Sequence, residues 1–126
     1  MAKTRNVLGL LAALILFLSA GAHSFLGWPS IRAQLETAHV PAELILGLKL
    51  GWLFGGVCMV IFAAIATAIF LARLRGEPVS AFPALAIGVA YLAFGTWALA
   101  ASKDPFFTIF LAPGALLVIA AARVSS

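Results

Sequence analysis

Residues 42–72 read AELILGLKLGWLFGGVCMVIFAAIATAIFLA, a nearly unbroken apolar run with charges at Glu43, close to its start, and at Lys49. A helix needs only ~20 consecutive apolar residues to cross the hydrocarbon core of a bilayer. The run is long enough to do so as one helix. We therefore expect an integral membrane protein.

Composition indicates the same class. Hydrophobic residues make up 64% of the 126-residue chain and charged residues 10%, and the mean hydropathy is +1.16. A water-soluble domain does not have these values. Because nearly every residue is needed to cross or cap a bilayer, we expect a single membrane domain covering residues 1–126.

Local signals divide the chain into four predicted spans. Pro41, Pro83 and Pro105 each suit the first turn of a helix, and Asp104 is a good N-cap. The expected fold is all-α and polytopic, with four transmembrane helices in a compact bundle and a short surface helix over residues 29–41. Pro113 should kink the last span. The spans are predicted at about 6–27, 42–72, 81–101 and 105–122.

The first span has an alternative interpretation. Residues 7–18 could be the hydrophobic region of a signal peptide, and Ala20-Gly21-Ala22 fits a cleavage site after Ala22. The apolar character continues beyond that site through Phe25 and Leu26, which favours a retained span.

The basic residues predict the orientation. The net charge is +4, and the Lys and Arg residues stand at the ends of the apolar runs, which is typical of membrane topology and not of nucleic-acid binding. Four spans place five basic residues on the side of the termini and three on the other side. We therefore expect both termini in the cytoplasm of a bacterial cell, with the chain in the inner membrane. The five are Lys3, Arg5, Arg73, Arg75 and Arg123, and the three are Arg32, Lys49 and Lys103.

Two further patterns concern packing and depth. Gly47, Gly51 and Gly55, which we call the glycine row, recur every fourth residue and should form one face for close helix packing. Trp28, Trp52 and Trp97 fall toward the outer side in this topology, where we expect them to act as interface anchors.

The span centres carry no ionisable residue, so proton-coupled transport and catalysis have no support and we expect no enzyme. The polar groups at depth are Thr67, Tyr91, Thr96 and Thr108. Cys58 is the single cysteine and should be a packing group. No phosphate-binding loop and no catalytic triad pattern is present.

The outer side contains the one polar cluster. Glu36 and His39 have the Glu-x-x-His spacing of metal ligands on one helical face, and Glu43 and His23 could join them. Pro41 interrupts this geometry, so the favoured interpretation is a solvated loop without metal. His39 lies in a loop, which also argues against a haem held by two histidines. We expect no cofactor, and we expect His23 to bond between helices.

His23-Ser24-Phe25-Leu26-Gly27 and Gly51-Trp52-Leu53-Phe54-Gly55 resemble motifs of a group of small bacterial four-span membrane proteins. That group carries His-Ser-x-Leu-Gly at the end of span one and Gly-Trp-x-Phe-Gly in span two, often with a histidine where this chain has Leu53. The resemblance covers about the first half of the chain. It implies the four-span architecture and no activity.

Three functional hypotheses follow. The leading one is a non-enzymatic accessory or scaffolding subunit whose partners are the lipid bilayer and other membrane helices. The second is a subunit of a small oligomeric transporter or channel. The third is an outer-face metal or cofactor site around His23.

Overall fold

The computed structural model describes residues 2–122, and every regular element in this range is a helix. The all-α prediction is confirmed. The elements are α1 (Ala2–Gly21), a π-helical segment (Ala22–Gly27), α2 (Trp28–Thr37), α3 (Ala42–Leu74), α4 (Phe82–Ser102), a 3₁₀ segment (Pro105–Phe110) and α5 (Leu111–Ala121).

Three helices are long and apolar enough to cross a membrane. They are the continuous helix Ala2–Thr37, α3 and α4, with 36, 33 and 21 residues. The predicted fourth span is the shorter apolar helix Pro105–Ala121. Since a 3₁₀ turn rises ~2.0 Å per residue and an α turn ~1.5 Å, this helix extends over roughly 28 Å, close to the ~30 Å of a bilayer core.

Most residues of the predicted surface helix are helical and form α2, but α2 does not start after a break, and its position on the membrane surface stays a prediction. It continues α1 through the π-helical segment. Pro29 follows the π-helical segment inside this continuous helix, where its missing N–H removes one helical hydrogen bond and accompanies the change in helix geometry just before it. The kink at Pro113 stays a prediction; the helix changes from 3₁₀ to α geometry at Leu111, two residues before the proline.

Capping residues determine where the helices begin and end. Asp104 accepts a hydrogen bond from the Phe106 amide at 2.9 Å, as expected of an N-cap. At the end of α3, Gly76 adopts φ +80°, and the amide of Glu77 donates to the Ala72 carbonyl at 3.0 Å. This is a Schellman C-cap, in which the left-handed position favours glycine.

Helix α1 lies between α3 and α5 and packs on both, while α4 packs mainly on α5 and only sparsely on α3. The three largest fully buried side chains are Leu16, Phe70 and Leu117, one from each of α1, α3 and α5. The Phe70 ring occupies the space where a Cβ on Gly9 would lie. The core is therefore built around α1.

The start of α1 meets the end of α5. Arg5 donates hydrogen bonds from Nε to the Ile119 carbonyl at 3.2 Å and from Nη2 to the Ala120 carbonyl at 3.5 Å. A cation at a helix C-terminus is favourable because the last carbonyls are unpaired and the helix dipole is negative there. Both ends of the described chain therefore lie at one end of the bundle. The predicted contribution of Arg123 to this end concerns a residue outside the described range.

Candidate functional site

The π-helical segment and α3 meet through a histidine and a tryptophan. The rings of His23 and Trp52 stack with centroids 4.1 Å apart and planes 6° from parallel. His23 Nε2 lies 3.0 Å from the Trp52 carbonyl oxygen, and Trp52 Nε1 donates to the His23 carbonyl at 2.7 Å. Each residue thus bonds the backbone of the other. The expectation that His23 bonds between helices is confirmed.

This pairing fixes the tautomer of the neutral imidazole. A carbonyl oxygen only accepts hydrogen bonds, so Nε2 of His23 must carry the proton that it donates. In the neutral ring, Nδ1 then holds a lone pair and can accept a hydrogen bond. The ring is held in place by stacking on Trp52 and by two hydrogen bonds.

Glycines make the room for this pair. A Cβ on Gly27 would lie 2.9 Å from Cζ2 of Trp52, and one on Gly55 would lie 3.3 Å from Nε2 of His23. A Cβ on Gly56 would collide with the Ser24 hydroxyl. The two sequence motifs of the first half of the chain therefore pack against each other, with glycines of each motif facing side chains of the other.

An apolar cleft opens beside the histidine, because α3 and α4 are not tightly packed. Its volume is about 570 Å³. We call it the α3–α4 cleft. Its lining consists of His23, residues of α3 (Gly55, Cys58, Met59 and Phe62), residues of α4 (Ala86, Ile87, Ala90, Tyr91 and Phe94) and Phe110.

Aromatic rings line much of the cleft. Tyr91 packs edge-on against Phe62 at 6.4 Å between centroids and tilted against Phe110 at 5.9 Å, and Phe94 contacts Phe110 edge-on at 5.2 Å. These arrangements are the favourable ones for aromatic pairs. Tyr91 is thus a packed aromatic.

The four metal-ligand candidates are not brought together. His23 is engaged with Trp52, while Glu36 forms an ion pair with Arg32 at 2.7 Å on the exposed surface of α2. His39 lies in the turn after α2 with φ 56°, and Glu43 stands in the first turn of α3. Within residues 2–122 no group of three or more His, Cys, Asp or Glu side chains could hold a metal ion.

The glycine row divides into two parts. Gly55 faces His23, whereas a Cβ on Gly47 or Gly51 would meet nothing within 4 Å. The glycine of α3 that packs closely on the preceding helix is Gly56, which lies outside the row. That Gly47 and Gly51 pack closely against a helix therefore stays a prediction, and that helix would belong to another chain.

The three tryptophans differ in exposure. Trp28 is buried at 7% and Trp97 is 66% exposed, while Trp52 is half-buried against His23. Of the three, Trp97 is the one whose ring is free to meet lipid headgroups. The role of all three as interface anchors stays a prediction.

Sequence reasoning missed the π-helical segment, the His23–Trp52 pair and the α3–α4 cleft. One signal was available, namely that both motifs combine aromatic or polar side chains with glycines. A match of those glycines to the bulky residues of the other motif would have indicated the pairing. The chain matches no protein-family model, no curated protein and no solved structure.

Proposed function

We propose that the chain is a non-enzymatic accessory subunit of a bacterial inner membrane, with both termini in the cytoplasm. It packs against helices of other membrane proteins through the outer half of α3. The observation that carries this proposal is the uncovered backbone at Gly47 and Gly51, which meets no other part of the described chain.

Glycine in the middle of a helix costs about 1 kcal/mol relative to alanine. Several other helical glycines offset that cost through close contacts, whereas Gly21, like Gly47 and Gly51, meets nothing within 4 Å. A Cβ on Gly88 would lie 2.9 Å from the Gly114 carbonyl oxygen, and one on Gly95 would lie 2.8 Å from Phe110. Within residues 2–122, Gly47 and Gly51 lack such a contact, so a helix of another chain is the partner that would use them.

The surroundings of these two glycines suit a helix partner. On helical geometry, Leu44, Leu50 and Phe54 flank them, and these side chains are 60%, 62% and 68% exposed. Lys49 projects about 160–200° away from both glycines. The face is thus apolar around Gly47 and Gly51, and the exposed Glu43, four residues before Gly47, places one carboxylate on the same face where the helix begins.

The test is extraction of the native protein in a mild detergent, followed by native mass spectrometry of the assembly. We expect a stoichiometric second membrane protein with the parent chain, and its loss with Gly47→Leu or Gly51→Leu. The matched control is Ala64→Leu, which adds a similar side chain to an exposed position on another face of the same helix.

Two outcomes would contradict the proposal. A homo-oligomer without a foreign subunit would favour the transporter or channel alternative, and a chain that stays monomeric in a native-lipid environment would leave the glycines facing lipid. A visible chromophore leaving the membrane with the chain would favour the cofactor alternative.

A further inference from the structure

The buried face of α3 ends at an arginine. Gly56, Ala63, Ala66 and Phe70 are buried and recur at spacings that place them on one side of the helix. Arg73 comes three residues after Phe70, in the last turn of α3, and continues the same side. It therefore lies at the end of a packed face.

Asn6 holds the corresponding position in α1. The two helices run antiparallel, and the Phe70 ring packs where a Cβ on Gly9 would lie. Asn6 is about one turn before Gly9 and Arg73 is about one turn after Phe70, so the register places Asn6 and Arg73 at the same level. Asn6 is a buried polar residue, 6% exposed, and its amide nitrogen is a hydrogen-bond donor.

One nitrogen of Arg73 is enclosed without an acceptor. Nη1 is buried, and no group within residues 2–122 accepts a hydrogen bond from it. A guanidinium stays protonated, and a buried charge without a counter-charge is costly. Arginines near the ends of membrane helices usually extend their charge into water, which Nη1 does not do. Because the side chain as a whole is only half-buried, an anion can approach the guanidinium from its exposed side.

The described chain supplies no anion for Arg73. Glu77 is the carboxylate at this end of the bundle, and it pairs with Arg75 at 2.7 Å. The other carboxylates of residues 2–122 stand near the opposite ends of the helices. At the ends of membrane helices the surrounding anions are headgroup phosphates, and a guanidinium binds phosphate through two parallel donors. The ligand that suits this position is therefore a phosphate group.

We propose that Arg73 and Asn6 bind one phosphate group, with the guanidinium supplying the positive charge and the amide a further donor. A phospholipid headgroup and a free phosphate ion share this chemistry. The site lies at the opposite end of α3 from Gly47 and Gly51, so it does not depend on the docking of a partner helix there.

The test uses the full-length protein, freed of lipid in a neutral maltoside detergent. Native mass spectrometry compares the binding of phosphatidylglycerol with that of a diacylglycerol that carries the same chains. If the source is a lipid, phosphatidylglycerol should bind at least about ten-fold more tightly, which is the advantage of a hydrogen bond to a charged group. If the source is the free ion, inorganic phosphate without lipid should raise the Tm above its value in chloride at equal ionic strength. Either result supports the site and identifies its ligand.

A matched pair of variants separates this site from general attraction between charges. Arg73→Gln should abolish the preference for phosphate, or the rise in Tm. Arg75→Gln removes the same charge two residues further on, from a side chain that is 66% exposed, and should leave both effects intact.

Asn6→Asp keeps the test decisive if Arg73→Gln does not fold. The added carboxylate lies at the level of Arg73, where it provides the missing counter-charge and repels phosphate. We expect a protein without lipid that is at least as stable as the parent and that has no preference for phosphate.

Three results would overturn the proposal. The first is a parent protein that prefers neither form of phosphate, which would leave water as the acceptor. The second is an equal loss with Arg73→Gln and Arg75→Gln, and the third is an undiminished preference in Asn6→Asp.

Discussion

The His23–Trp52 pair is the most strongly connected polar feature of the described chain. It combines stacking with two hydrogen bonds between side chain and backbone. In an apolar environment an unpaired polar group is costly. Each ring therefore stays in the orientation that keeps its polar atom hydrogen-bonded. The pair fixes the rotation of α3 relative to the π-helical segment.

Trp52→Phe tests how much the hydrogen bond from Trp52 Nε1 contributes to stability. The phenyl ring keeps most of the stacking but removes the Nε1 donor, which leaves the His23 carbonyl without this partner. We expect the unfolding free energy in detergent to fall by about 0.5–1.5 kcal/mol. Trp97→Phe, at a position 66% exposed, is the matched control and should change it little. Equal losses for both variants would show that the hydrogen bond contributes nothing.

At the scale of elements, the crossing of α4 and α5 depends on two glycines in mutual contact. A Cβ on Gly88 would lie 2.9 Å from the Gly114 carbonyl oxygen, and one on Gly114 would lie 3.0 Å from the Gly88 carbonyl oxygen. Both neighbours are backbone atoms, which cannot move away as a flexible side chain can. Any side chain here must push the two helices apart.

Gly88→Ala should therefore destabilise the protein by about 1–3 kcal/mol, as overpacking does in tightly packed cores. Gly51→Ala is the matched comparison, because its added methyl group meets nothing within 4 Å. It should leave the isolated chain unchanged or stabilise it by up to about 1 kcal/mol through helix propensity. Thermal unfolding of the purified monomer measures both. A loss of stability with Gly51→Ala alone would show that Gly51, and not Gly88, lies at a close helix contact.

The sequence predicted the elements better than their contacts, for a physical reason. Helix ends depend on local groups such as Asp104, Pro105 and Gly76, whose roles can be inferred from a few neighbouring residues. The partner of Trp52 lies 29 residues away, and its position depends on how two helices are rotated. Because these helices are apolar on every side, periodicity does not separate the core face from the lipid face. The sequence spacing therefore predicts Gly51 as the helix contact, whereas Gly56 is the glycine that makes it.

At the scale of the whole molecule, the predicted orientation follows from the imbalance of Lys and Arg. In a Cys58→Ala background, a cysteine at Ser80 should be shielded from a membrane-impermeant thiol reagent in intact cells, while one at Ser30 should react. Both positions are exposed, so burial in the bundle does not limit the reaction. Labelling of Ser80→Cys in sealed cells would reverse the topology. The predicted shielding of a cysteine at Ser126 concerns a residue outside the described range.

The central place of α1 also bears on the signal-peptide alternative. Ala12, Ala13 and Leu16 of α1 belong to the core, and Ala20 is 3% exposed. Cleavage after Ala22 would remove this helix and leave α3 without its main neighbour. The retained first span is therefore the interpretation that agrees with the packing.

The bond between Arg5 and Ile119 joins residues 114 positions apart. During synthesis α1 enters the membrane first and α5 last, so the surface of α1 that receives α5 stays open while the intervening helices are made. Contacts of such long range slow folding. A nascent chain halted before α5 would therefore leave uncovered the surface of α1 on which α5 packs.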